Sequence, residues 1–167
     1  MSSSAAPTNH PGMAAQQHPP DSPAARILLV DDDPVNQMVA LGLLRRRGWP
    51  AVAAANGKEA LQILANETFN LILMDLQMPE MDGFETATAI RRREAQSSCA
   101  TTPRQIADAS YQRAELQGGH IPIIALTTAS QPGMREKCLA AGMDDYLTKP
   151  INPRTLYTTV EKHLRGL

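Results

Sequence analysis

The sequence predicts an α/β fold, a parallel β-sheet with helices on both faces. Five short aliphatic runs alternate with stretches of helical period, and such alternation sandwiches a parallel sheet between helical layers. The composition agrees. Hydrophobic residues make up 43% of the chain but aromatics only 4%, so the core is built from Leu, Ile, Val, Met and Ala. The first and third runs also end in aspartates, and open α/β sheets place ligands beyond the carboxyl ends of their strands.

Arg26 to Val30 reads as the first strand and stops at Asp31. Asp33-Pro34 is a helix start, with an N-cap side chain and proline at the first helical position. Val35, Val39 and Leu43 recur four apart and mark a buried helix face, and Gly48 ends that helix. Ala51 to Ala55 is a second strand. Asn56-Gly57-Lys58-Glu59 has capping-box spacing, and Leu61, Leu64 and Ala65 form the next stripe. Leu71 to Met74 is the third strand, closed by Asp75. Asp82-Gly83-Phe84-Glu85 opens a third helix with the same box. Ile121 to Leu126 is the fourth strand. Met134, Cys138 and Ala141 line a fourth helix that stops at Gly142. Met143 to Leu147 is the fifth strand, and Asn152-Pro153 caps a last helix with Leu156, Val160 and Leu164 facing in.

Two segments fall outside this rhythm. Residues 1–24 hold five of the 13 prolines and one charged side chain, Asp21, with no periodicity and no apolar core of a signal peptide. They read as a disordered leader. Residues 94–119 are too many for an αβ connection of about 2–6 residues. Thr102-Pro103-Arg104-Gln105 looks like a helix start and Gly118-Gly119 like a stop, so the expectation is an inserted polar helix on the surface. The domain proper is then 25–167.

Sixteen basic side chains against 17 acidic ones exclude a nucleic-acid footprint. No apolar run approaches the roughly 20 residues of a membrane span. Cys99 and Cys138 make neither a disulfide framework nor a zinc pattern, and read as reduced thiols of a cytoplasmic protein.

Asp31, Asp32 and Asp75 end two strands, and Thr127 and Lys149 follow two others. One such Asp is an ordinary cap or turn residue. Three carboxylates on one rim of one sheet are not explained by packing. Like charges about 5 Å apart repel by on the order of 3 kcal/mol at an effective dielectric near 20. A cation relieves that repulsion, and oxygen ligands without His or Cys favour Mg²⁺.

The segments Leu29-Val30-Asp31-Asp32-Asp33-Pro34-Val35-Asn36-Gln37, Leu73 to Gly83, Ile123 to Thr127 and Gly142 to Pro150 resemble, in order and spacing, the signatures of receiver domains of two-component signalling. The resemblance covers about Arg26 to Leu167 and is interrupted by the insertion. It implies a flavodoxin-like doubly wound five-stranded parallel sheet in the order 2-1-3-4-5. It implies that Asp75 accepts a phosphoryl group from a phosphohistidine donor, a histidine kinase or a histidine-phosphotransfer protein. Asp32, Asp75 and the Gln77 backbone carbonyl would hold Mg²⁺, with Asp31 acting through water. Lys149 and the Thr127 hydroxyl would engage phosphoryl oxygens, and Lys149-Pro150 would be cis. Thr127 and Tyr146 would form the switch that reshapes the face of the fourth helix, fifth strand and fifth helix in a phosphorelay. The protein would catalyse only its own phosphorylation and dephosphorylation. Gln77 and Ala129 would tune loss of the phosphoryl group, and Ala129 cannot orient water, so that loss is expected to be slow to moderate. The Pro34-Val35-Asn36-Gln37 segment is similar to receivers of hybrid histidine kinases, so the domain stands alone in a relay or forms part of such a kinase.

Two other functions are weighed. Asp31-Asp32-Asp33-Pro34-Val35 also fits the nucleophile motif of haloacid-dehalogenase-like phosphohydrolases, with Asp31 as nucleophile. That reading puts Lys149 on the wrong side of the acidic pair Asp144-Asp145 and leaves Asp75 to Gly83 unexplained. A phosphate-independent pseudo-receiver binding module would not need every chemical position filled. The remaining charged residues have plain readings. Arg45 to Arg47 and Arg91 to Arg93 suit helix C-termini, Asp144 and Asp145 lead into the fifth strand, and His120 and His163 are surface residues.

Overall fold

A computed structural model describes residues 25–99, 120–128 and 133–165. The leader and the predicted helix start at Thr102 lie outside the described residues, as does Ala129. Five strands, β1 (Ile27–Val30), β2 (Ala51–Ala54), β3 (Leu71–Asp75), β4 (Ile123–Thr127) and β5 (Asp145–Thr148), form one parallel sheet in the order β2-β1-β3-β4-β5. Between them run α1 (Pro34–Arg46), α2 (Gly57–Asn66), α3 (Gly83–Cys99) and α4 (Met134–Ala140), and α5 (Pro153–Arg165) follows β5. The first residues of the 94–119 segment thus continue α3.

Side chains alternate across the pleat, so each strand serves two cores. Leu28, Val30, Ile72, Met74, Ile123 and Ala125 face one side and pack with Ala60, Ala87, Ile90 and Cys138 of α2, α3 and α4. Ile27, Leu29, Leu71, Leu73, Ile124 and Leu126 face the other and pack with Ala40 and Leu44 of α1 and with Leu156 and Val160 of α5. No helix of the described residues is long and apolar enough to cross a membrane.

The helix starts follow the sequence. Asp33 accepts the Val35 N–H at 2.8 Å, and Asn56 accepts that of Glu59 at 2.9 Å. Asp82 and Glu85 make the reciprocal box, at 2.8 and 3.3 Å. Gly83 sits against the end of β3, where a Cβ would lie 2.2 Å from the Asp75 carbonyl oxygen. Only glycine lets α3 begin this close to Asp75.

Three expectations are corrected. The buried face of α1 is Ala40 and Leu44, while Val35, Met38 and Val39 are exposed. The helix is apolar most of the way round, so period four does not choose the face; the approach of α1 to β1 and β2 does. On α2, Leu61 and Leu64 pack against the core as expected, beside the buried Gly57 and Ala60, but Ala65 is exposed. Arg91 is no helix-end charge, because α3 runs on to Cys99. Its guanidinium donates to the carbonyls of Gly142 (2.7 Å) and Ile121 (2.9 Å), and to Glu94 (2.8 Å) and Asp144 (2.9 Å). Asp144 also takes the Ile123 N–H at 2.8 Å and His120 Nε2 at 2.7 Å. Arg91 thereby ties α3 to the entrances of β4 and β5. Of the two histidines, His120 is exposed as expected and only His163 is corrected. His120 belongs to this cluster, and His163 is largely covered, 3.1 Å from Asp145, which is itself the first residue of β5.

Arg91→Met is expected to destabilise the fold by about 3 kcal/mol, because it removes the cation shared by two carboxylates and two carbonyls in a partly buried cluster. Urea denaturation checks this. The midpoint should fall with the slope unchanged.

Candidate functional site

Parallel pairing of β1 with β3 brings the residues that follow Val30 beside Asp75. Asp31 and Asp75 are buried, at 1% and 5% exposure, and Asp32 is exposed. Oxygens of the three carboxylates lie within 4.8 Å of one another. Lys149, which follows β5, crosses the end of β4 and donates to Asp31 Oδ2 and Asp75 Oδ2, both at 2.7 Å. The Lys149-Pro150 bond is cis, and the Lys149 N–H donates to the Thr127 carbonyl at 2.7 Å. Thr127 is the buried last residue of β4, on the same rim.

The Asp75 carboxylate accepts the Gln77 N–H at 3.2 Å on its second oxygen. The Gln77 side chain is exposed and accepts the Thr128 hydroxyl at 3.3 Å. Asp31 Oδ1 accepts the Asp33 N–H at 3.0 Å and Asn36 Nδ2 at 3.3 Å. Sequence reasoning missed Asn36 and Gln37 as neighbours of the acids, because their residue types carry no ligand signal at that spacing.

Burial pushes the Asp75 carboxyl up, and the nearby Asp31 charge adds to it. The hydrogen bonds from Lys149 and the Gln77 N–H offset this only in part. Burial works against the Lys149 ammonium too, but its bonds to Asp31 and Asp75 outweigh it and hold Lys149 charged. One ammonium thus serves two buried carboxylates, with a third beside them. The set is short of positive charge, all its donors are hard oxygens, and it fits a small divalent cation.

Tyr146 is half-buried against the core packed by α2, α3 and α4, and its register partner on β4 is Ala125. Beside it, burial pushes the Asp145 carboxyl up, but bonds from Lys162, His163 and the Tyr146 N–H outweigh this and leave it below the usual value.

The family model described as "Response regulator receiver domain" matches residues 27–114 and 108–161. The chain belongs to this family. It is a receiver domain of two-component signalling. It is 35% identical over 156 residues to "Probable histidine kinase 1" of Oryza sativa subsp. indica, covering 87% of this chain and 16% of that protein. The chain therefore spans about a sixth of that relative. Among solved structures it is similar to a sensor histidine kinase receiver domain from Pseudomonas aeruginosa with a magnesium ion coordinated in the active site cleft. There the TM-score is 0.64 and the identity 33%, covering 85% of this chain and 98% of that one. It is also similar to a chain of the co-crystal of the Saccharomyces cerevisiae histidine phosphotransfer signaling protein Ypd1 with the receiver domain of its downstream response regulator Ssk1. The TM-score is 0.69 and the identity 31%, over 84% and 88% of the two chains.

Proposed function

We propose that this receiver is a phospho-accepting switch in which Mg²⁺-dependent transfer from a phosphohistidine donor to Asp75 changes the face made by α4, β5 and α5. The observation that carries this reading is the Asp75 carboxylate. It is buried at the end of β3, held by Lys149 and the Gln77 N–H, and close enough to Asp31 and Asp32 to share one cation.

An Asp75 oxygen forms the new P–O bond as the P–N bond to the donor histidine breaks. The electron pair stays on the imidazole nitrogen, which takes up a proton. Lys149 pairs with one phosphoryl oxygen and the Thr127 hydroxyl donates to another, so the rim supplies fixed positive partners for the transferring group. Asp31, Asp32, Asp75 and the Gln77 carbonyl would hold Mg²⁺. When bound, the cation neutralises negative charge on the phosphoryl oxygens. Movement of Thr127 toward the phosphoryl group frees space beside β4, into which Tyr146 turns. The differential contacts of the phosphoryl group supply the energy of the switch. The working unit is 25–167, with the segment at about 94–119 inserted into it. The buried free thiol of Cys138 accords with a reducing, cytoplasmic setting.

The donor needs a docking surface beside the acids. α1 begins at Pro34, directly after them, and presents Val35, Met38 and Val39 at 64%, 75% and 52% exposure. The occupant assigned to this face is a histidine-phosphotransfer protein with an apolar patch around its phosphohistidine. Val39→Asp is expected to slow transfer from such a protein by about tenfold, the scale of an interface anchor. Labelling by acetyl phosphate, which docks on nothing, should change far less. Equal losses in the two assays would place Val39 outside the docking face. The function itself is tested by incubating the protein with acetyl phosphate and Mg²⁺. A phosphoryl adduct that forms with Mg²⁺ and not with EDTA supports it, and no adduct overturns it.

A further inference from the structure

Asp31 and Asp32 are held in different ways. Both oxygens of Asp31 are tied down, to the Asp33 N–H, Asn36 and Lys149. Among the described residues no hydrogen bond or ion pair engages the Asp32 carboxylate, although it belongs to the three-acid cluster. The backbone must therefore set its direction.

One side chain holds that backbone. Gln37, in the first turn of α1, donates Nε2 to the Asp31 carbonyl at 2.7 Å and lies 3.4 Å from the Ala54 carbonyl. The β1–β2 register ends at Val30 and Ala54, and the Asp31 N–H makes the last bond, to the Ala54 carbonyl at 3.1 Å. Gln37 extends this tie by one carbonyl. The Asp31 carbonyl lies in the peptide plane that joins Asp31 to Asp32, and that plane is rigid. Fixing its oxygen fixes the direction in which the Asp32 Cα leaves. α1 itself does not need the Gln37 amide, because Asp33 caps the helix and the Gln37 N–H bonds the Asp33 carbonyl at 3.0 Å.

We propose that Gln37 is a positioning residue for cation binding, holding the Asp31–Asp32 peptide so that the Asp32 carboxylate faces Asp31 and Asp75. This rests on the reading that the cluster binds Mg²⁺.

The test is calorimetric titration of the full chain with Mg²⁺, for wild type, Gln37→Met, Asp32→Asn and the double variant. Gln37→Met is expected to weaken Mg²⁺ by about tenfold, the scale of losing a group that orients a ligand. In the Asp32→Asn background the same change should have an effect within about twofold, because the carboxylate it orients is gone. Gln37→Ala, which leaves room for water on the two carbonyls, should behave like Gln37→Met. A merely structural role predicts an equal loss in both backgrounds and would overturn the proposal. So would wild-type affinity in Gln37→Met and Gln37→Ala. A wild type that binds no Mg²⁺ would instead overturn the reading of the cluster, and the proposal with it.

Discussion

Asp75→Asn is expected to abolish the acetyl phosphate adduct, while Asp31→Asn slows its formation without removing it. The asymmetry follows from what each carboxylate is free to do. Asp31 is 1% exposed, with one oxygen accepting two donors and the other holding Lys149. Only its Lys149-bound oxygen keeps a lone pair open, whereas both Asp75 oxygens do, so Asp31 is the poorer nucleophile. Asp75 is the residue the third strand delivers to the rim, and its oxygens accept one donor each. An asparagine there keeps the shape but loses the anionic nucleophile, and the acyl phosphate cannot form. Intact-protein mass spectrometry reads the result. An adduct that survived Asp75→Asn and vanished with Asp31→Asn would support the phosphohydrolase chemistry instead.

Lys149→Met is expected to lower the stability of the Mg²⁺-free protein at neutral pH by on the order of 3 kcal/mol, because removing one partner leaves buried carboxylates uncompensated. Urea denaturation in EDTA measures it. Mg²⁺ should then stabilise the variant more than the wild type, since the cation replaces the lost charge. The pH dependence has a definite sign. Burial already holds the Asp75 carboxyl above its usual value. A carboxyl raised in the folded state opposes folding above that value, and the opposition fades as pH falls through it. Loss of Lys149 should raise it further, so the deficit of the variant should shrink in acid. A deficit that stayed constant from neutral to acid pH would show that Lys149 matters through packing alone.

Much of this arrangement was legible in the sequence. Aliphatic runs stopped by Asp31 and Asp75 can only be buried strands with polar exits, and parallel winding puts such exits on one rim. Asp33, Asn56, Asp82 and Asn152 were legible as caps because their acceptors serve local N–H groups. What was not legible depends on tertiary proximity. The apolar residues of α1 outnumber the places available on its buried side, so the sequence alone could not tell Val39 from Leu44. Arg91 and Asp144 are 53 residues apart, and nothing local marks them as partners. Gln37 acts through backbone carbonyls, which any sequence supplies.

The Arg91 cluster has a consequence for how this domain can vary. Arg91 and Glu94 lie on α3, before residues 100–119, and His120 and Ile121 lie after them. Both banks of that segment are therefore moored to each other and to the entrance of β5, on the rim opposite the acids. The entropy of closing a connection between two fixed ends grows only with the logarithm of its length, about 0.6 kcal/mol per doubling. With its ends moored, this stretch can lengthen or shorten over generations while the register of β4, and the placing of Thr127 at its far end, stay as they are.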